Sequence, residues 1–258
     1  MRFVAVSLLL AAVAFGAATA DPTPSQIDDI IARFAAKEAE FSKARSMYTY
    51  RQTVKLVELD ESGSPGGKWH LVSDIIFTPD GKRIEKVVYA PVITLKNIIL
   101  SPEDEQDLRD VQPFVLTTSE IADYYVRFIG RQQIDEIPCY EFSVKPKELG
   151  KGKRYFEGVI WVDDKDLQIV KTYGKGIGRL GKNEDQQFPK FETYRQQIDG
   201  KYWFPTYTIA NDVLQFKEES VRIRETVRYE DYKQFKAEST IKFEEEPPAK
   251  PVTPPVKK

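Results

Sequence analysis

Apolar residues recur at every second position through most of this chain, and that period restricts it to antiparallel strands joined by tight turns. The clearest instance is Phe156 to Gly174, F-E-G-V-I-W-V-D-D-K-D-L-Q-I-V-K-T-Y-G. Two apolar runs, Val159 to Val162 and Leu167 to Tyr173, flank the charged turn Asp163-Asp164-Lys165-Asp166, which reads as a β-hairpin. In the second run the alternation assigns Leu167, Ile169 and Tyr173 to one face and Gln168, Val170 and Thr172 to the other. The first run is apolar on both faces. It therefore needs a core or cavity on one side and a helix or second layer on the other.

Residues 1–20 fall outside the fold. Arg2 precedes an apolar run from Phe3 to Phe15 that ends in Ala18-Thr19-Ala20, the pattern of a secretory signal peptide cleaved before Asp21. That run is too short to span a bilayer, and no later stretch reaches about 18 uninterrupted apolar residues. No cysteine follows the cleavage point to take an amino-terminal lipid anchor. Cys139 is the sole cysteine, so an ordinary core and not an internal disulfide must hold the exported chain together. With 38 basic and 40 acidic residues the charge is near balance, which leaves no electrostatic footprint for nucleic acid.

The chain then reads as one domain, 21–243, and a Pro- and Lys-rich disordered tail, 244–258. Thr23-Pro24-Ser25-Gln26 is a capping box with proline at the first helical position. Ile27, Ile30, Ile31, Phe34 and Phe41 follow at helical spacing, giving one amphipathic helix to about Ala44. From Met47 the period becomes two, through strands at Tyr48–Leu56, Trp69–Phe77 and Arg83–Tyr89. Leu95 to Leu100 is apolar and stops at Ser101-Pro102-Glu103-Asp104, the start of a short acidic helix to about Val111. Strands resume over 126–134 and around Tyr140–Val144; after the hairpin described above, residues 174–190 read as a long glycine-rich loop. Two more strands, 191–198 and 202–209, flank Asp199-Gly200, and Val221, Ile223, Val227 and Tyr229 form the apolar face of another. A last strand is expected over 232–243. The sum is an α+β domain of about ten strands and two or three helices.

Few motifs offer chemistry. Gly176-Ile177-Gly178-Arg179-Leu180-Gly181 matches G-x-G-x-x-G, but polar loop residues follow it where phosphate binding requires a helix. Asp163, Asp164 and Asp166 lack the spacing of a calcium loop. A Cys/His or Ser/His pair would have to use His70, the sole histidine, which has no motif around it. No carboxylate pair stands in apolar surroundings. No enzyme, cofactor or metal is expected. The remaining signal is the apolar strand face: Tyr48, Tyr50, Leu56, Trp69, Leu71, Phe77, Phe142, Trp161, Trp203 and Tyr207. These residues either pack as a closed core or line a cavity lidded by Ile27, Ile30, Ile31 and Phe34 of the first helix.

The helix, the Y-R-Q-T-V strand at Tyr50–Val54, G-V-I-W-V-D-D-K-D-L-Q-I-V at Gly158–Val170 and D-G-K-Y-W-F-P at Asp199–Pro205 together resemble periplasmic lipoprotein carriers of the LolA/LolB type and outer membrane lipoprotein-sorting relatives. The resemblance implies an incomplete antiparallel β-barrel with a helical lid over an apolar cavity. It also implies a periplasmic monomer that binds acylated lipoprotein or lipid and meets inner- or outer-membrane sorting partners. The alternative is a non-enzymatic envelope scaffold of the same fold. That family's early-strand Arg-Pro pair is replaced here by Thr78-Pro79, so no arginine role carries over. A ten-stranded barrel favours the cavity, since about eight strands is the size that side chains fill.

Overall fold

Thr23 starts the first element as the capping box requires: Gln26 Oε1 accepts the Thr23 backbone N–H at 2.8 Å and its hydroxyl at 3.0 Å. Helix α1 (Pro24–Arg45) buries Ile30, Phe34, Ala35, Glu38, Phe41 and Ala44. A computed structural model describes residues 21–78, 82–178, 188–217 and 219–235. The signal peptide, the tail and the second half of the G-x-G-x-x-G stretch, 179–181, lie outside the described residues.

Ten strands follow: β1 (Tyr48–Leu59), β2 (Pro65–Phe77), β3 (Arg83–Tyr89), β4 (Tyr124–Ile134), β5 (Ile137–Pro146), β6 (Tyr155–Asp163), β7 (Ile169–Ile177), β8 (Phe191–Ile198), β9 (Tyr202–Gln215) and β10 (Ser220–Gln234). They make one antiparallel sheet in the order β3-β2-β1-β10-β9-β8-β7-β6-β5-β4. Every neighbouring pair is consecutive in sequence except β1 with β10, and the sheet does not close, since β3 and β4 are its two edges. Register shifts between β1 and β10, β4 and β5, β6 and β7, and β8 and β9 bend the strands in the manner of bulges and help the sheet curl. The expected incomplete barrel is therefore present.

The 34 residues that would have to be bridged to close the barrel, 90–123, instead turn inward. They contain α2 (Pro102–Gln106), a π-helical turn (Asp107–Val111) and a 3₁₀ turn (Ile121–Asp123). Val111, Phe114 and Leu116 join Ile30 and Phe34 of α1 over Phe142, Phe156, Ile160, Val162 and Ile169 in one core. Each fully buried side chain of this size contributes roughly 1.5–3 kcal/mol. A second core gathers Tyr50, Val54, Leu56, Trp69, Ile75, Leu108, Ile223 and Tyr229. Helix α1 thus covers half of the inner face, and the inserted segment covers much of the rest.

Three expectations need correction. Strand β7 continues to Ile177, through Gly174 and Gly176, which had read as loop. A side chain on Gly174 would collide with the Phe156 ring, and one on Gly176 with Asp107 and Arg154. These glycines mark close approach inside a strand, not a turn. Second, Leu167 belongs to the turn, with φ 52, and a register shift sets Val162 opposite Ile169 and Trp161 opposite Lys171. The extra residue puts Ile169 on the inner face and Tyr173, 40% exposed, on the outer one. Third, Tyr232 belongs to β10 itself, which ends at Gln234, and residues 236–243 of the strand expected there lie outside the described residues.

Candidate functional site

The inserted segment is pinned above β1 and β2 before it reaches α2. The Glu58 carboxylate, buried at the end of β1, accepts the backbone N–H groups of Lys96 (3.0 Å), Asn97 (2.7 Å) and Ile98 (3.1 Å). Thr94 N–H donates to the Lys68 carbonyl at 2.9 Å. Three amides on one carboxylate satisfy donors that a loop over an apolar surface would otherwise leave unpaired. Ser101 and Asp104 then form a capping box with Pro102 at the first helical position.

Between this strap and the sheet lies a cavity of about 410 Å³, within the size range of small-molecule sites. Leu56, Trp69, Ile98, Leu100, Leu108, Leu214 and Ile223 make apolar walls, with Phe188 and Phe216 beside them. Asp104 and Glu225 are the acidic groups inside, and Lys217 and Glu219 belong to the connection between β9 and β10. A second cavity, of about 450 Å³ between the end of α1 and residues 110–120, is lined mainly by polar groups such as Ser42, Lys43, Arg45, Asp110 and Glu120. Only the first has walls suited to an apolar molecule.

The carboxylates of the first cavity belong to a buried polar layer. Glu225 accepts a short hydrogen bond from Gln112 Nε2, and burial pushes its carboxyl up to about 7. Asp107 forms a two-pronged ion pair with Arg154, whose Nε lies 2.8 Å from Oδ1. Burial still raises the Asp107 carboxyl to about 6, against the pull of that guanidinium. Asp104 is also raised by burial. Arg154 in turn donates to the Gly178 carbonyl and lies 3.7 Å from the Phe188 ring centroid. The expectation that no carboxylate pair stands in apolar surroundings is overturned by these three. The alternation held the signal: Glu225 occupies the apolar row Val221, Ile223, Val227, Tyr229, a position where an acid is out of place. Glu38 gave the same signal on α1, four residues after Phe34 and three before Phe41.

Of the expected wall residues, Trp69 lines the cavity. Tyr50 belongs to the same core, with Leu71 and Phe77 packed against it. Tyr48 packs with Phe41 and Phe204, and Phe142 meets Phe34 at 5.5 Å, so both are inner-face residues covered by α1. Ile27, Ile30, Ile31 and Phe34 pack on that filled half. Trp161, Trp203 and Tyr207 are corrected: they stand on the outer face. Trp161 is buried there with Cys139 and Val170, while Trp203 packs alongside. Lys171 Nζ lies 5.0 Å from the Trp161 ring centroid and 4.9 Å from that of Tyr194. Tyr207 stands in register with Tyr194 and Arg228 in the same row. The outer side of Trp161 is thus covered by long side chains of the sheet itself, where a helix or second layer had been expected.

Among the described residues no group of three or more His, Cys, Asp or Glu side chains is placed to hold a metal ion. His70 packs edge-on to Tyr89 on the β2–β3 side, and Cys139 is buried on β5 with its thiol pushed up to about 12 by burial. Among the described residues no helix is long and apolar enough to cross a membrane.

No family model matches the chain, and no curated protein matches it. Solved structures do resemble it. A DUF1329 family protein from Desulfovibrio piger aligns at 15% identity over 82% of this chain and 92% of its own, with a TM-score of 0.43. A LolA superfamily protein from Nitrosomonas europaea aligns at 12% identity over 81% and 93%, with a TM-score of 0.35. A putative outer membrane lipoprotein-sorting protein domain from Vibrio parahaemolyticus aligns at 12% identity over 79% and 93%, with a TM-score of 0.35. The resemblance read in the sequence recurs among these structures.

Proposed function

We propose that this is an exported, periplasmic binding protein that carries the apolar chain of a lipid or acylated lipoprotein in the groove between the 97–108 strap and β1, β2, β9 and β10. The observation that carries the reading is the apolar wall of a 410 Å³ cavity in the half of the inner face that α1 leaves uncovered. A buried alkyl chain of about 16 carbons would contribute on the order of 10 kcal/mol before ordering costs, at about 0.8 per CH₂. The protein acts by binding and not by bond-making, as a monomer that exchanges its ligand with partners at the inner or outer membrane. Native mass spectrometry of the mature chain, purified without detergent from an envelope extract, tests this. A lipid-mass adduct that disappears in Ile223→Lys supports it. A bare wild-type mass together with no uptake of an added acyl probe sinks it.

A second reading, an envelope scaffold, draws on β3. This edge strand exposes Ile84, Val87, Val88 and Tyr89, each between 43% and 55%, beside an unpaired backbone edge. Crosslinking in cells from cysteine-substituted β3 residues would recover a protein partner under that reading, whereas lipid alone would be found under the first.

A further inference from the structure

The groove carries charged groups at both ends, Lys217 and Glu219 at the β9–β10 hairpin and the buried Glu225 with Asp104 at the other. Along β10 its lining runs from Glu219 through Ile223 to Glu225, about 20 Å at a strand rise of about 3.3 Å per residue. Phe216, Lys217 and Glu219 mark the hairpin end, and Leu56, Trp69, Leu214 and Ile223 line the middle. Glu225 forms the inner end, with Asp104 lining the same cavity from α2. Arg154 is hydrogen-bonded to this layer, and both prongs of its ion pair go to Asp107. Gln112, only 3% exposed, spends its N–H on Glu225, and its Oε1 has no hydrogen-bond partner. The inner end therefore sets the Glu225 carboxyl beside a buried amide oxygen that lacks a donor. An apolar chain terminus there would leave a buried carboxyl against methyl groups, while an anionic head would meet like charge.

Resting on the reading that the groove takes the apolar part of an amphiphile, we propose that its ligand is a single-chain lipid with a cationic, hydrogen-bond-donating head, of the primary-amine class. The head enters first and is held at Glu225, and the alkyl tail lies back along β10 toward the β9–β10 hairpin. This polarity selects a free amino lipid over an acylated lipoprotein, whose protein part is too large to pass down the groove ahead of its chain.

The groups facing Glu225 set the pH response. They are Gln112, Asp104 on α2, Asp107 with its partner Arg154, and Tyr229 further along β10, with Lys217 and Glu219 at the far end. Since Glu225 titrates near neutrality, an ammonium arriving beside it displaces a proton, so amine affinity should rise between pH 5.5 and 8.

Calorimetric titration of the full mature chain with dodecylamine, dodecanol and dodecanoic acid tests the assignment. The amine should bind about tenfold or more tighter than the alcohol at pH 7.5, with the acid weakest. Glu225→Gln should remove that advantage while leaving dodecanol within about twofold. Asp104→Asn provides a second variant should Glu225→Gln fail to fold, and the wild-type ranking of the three probes needs neither. Equal binding of all three, or a preference for the acid, overturns the head-group assignment and leaves the groove reading standing. Binding of none overturns the groove reading itself.

Discussion

Glu225 ties stability to pH in the direction opposite to an ordinary ion-paired carboxylate. Its carboxyl sits at about 7 in the folded protein against an ordinary value of 4.5, so the folded state binds the extra proton between those values. Stability is then fully present below about pH 4.5 as far as this group is concerned, and declines as pH rises through about 7, by about 3 kcal/mol in all. Asp107, raised to about 6, adds a smaller decline of the same sign. Urea unfolding of the wild type and Glu225→Gln at pH 5 and pH 8 should show the variant losing much less stability between the two. Parallel losses would mean that Glu225 does not titrate as placed. In the sequence, the position of this residue was legible and its environment was not. Parity along β10 put it among apolar residues, but the acids and amide that surround it come from a segment some 120 positions earlier, which no local pattern connects to it.

At the level of elements, α1 is fastened to the sheet by more than its apolar stripe. Glu38 and Arg195, 0% and 1% exposed at their side chains, meet at 3.1 Å beneath the helix. Glu38 also accepts the Ile169 backbone N–H at 3.0 Å, and Arg195 donates to the Phe114 carbonyl. One ion pair thus joins α1, β7, β8 and the inserted segment. Glu38→Gln leaves the Arg195 guanidinium buried without its counter-charge and should destabilise the protein by about 3–5 kcal/mol in urea unfolding. A loss below about 1 kcal/mol would show that the helix is held by apolar packing alone. The helix, its cap and nearly every strand were readable because each follows from short-range periodicity. Strand β7 was misread because Gly174 and Gly176 serve a contact with Phe156, Asp107 and Arg154, which lie outside the strand. The face of Tyr173 depended on where alternation is counted from, and the register shift beside Val170 resets that count. The groove was beyond reach for the same reason, since its roof is the irregular stretch 97–108 and its depth depends on where Glu58 holds that stretch down.

Across the whole molecule, the strand order pairs β1 and β10 inside the sheet, third and fourth from one edge, and leaves β3 and β4 as the two edges. Hydrogen exchange followed by mass spectrometry should therefore show peptides from β1 and β10 among the most protected and β3 among the least, with β3 exchanging at least tenfold faster. Equal protection of β1 and β3 would contradict this order. The same pairing dictates when the groove comes into being. Two of its walls, β1 and β2, are synthesised near the start of the domain, and the other two, β9 and β10, near its end, so they must find each other across nearly the full length of the domain. Such long-range pairing is slow and cannot begin while the chain is incomplete. A nascent chain has no groove, and until β10 emerges the apolar row Tyr50, Val54 and Leu56 stays uncovered on its β10 side. Ligand loading is consequently an event of the finished molecule, and the interval before it is when this protein most needs a holding chaperone.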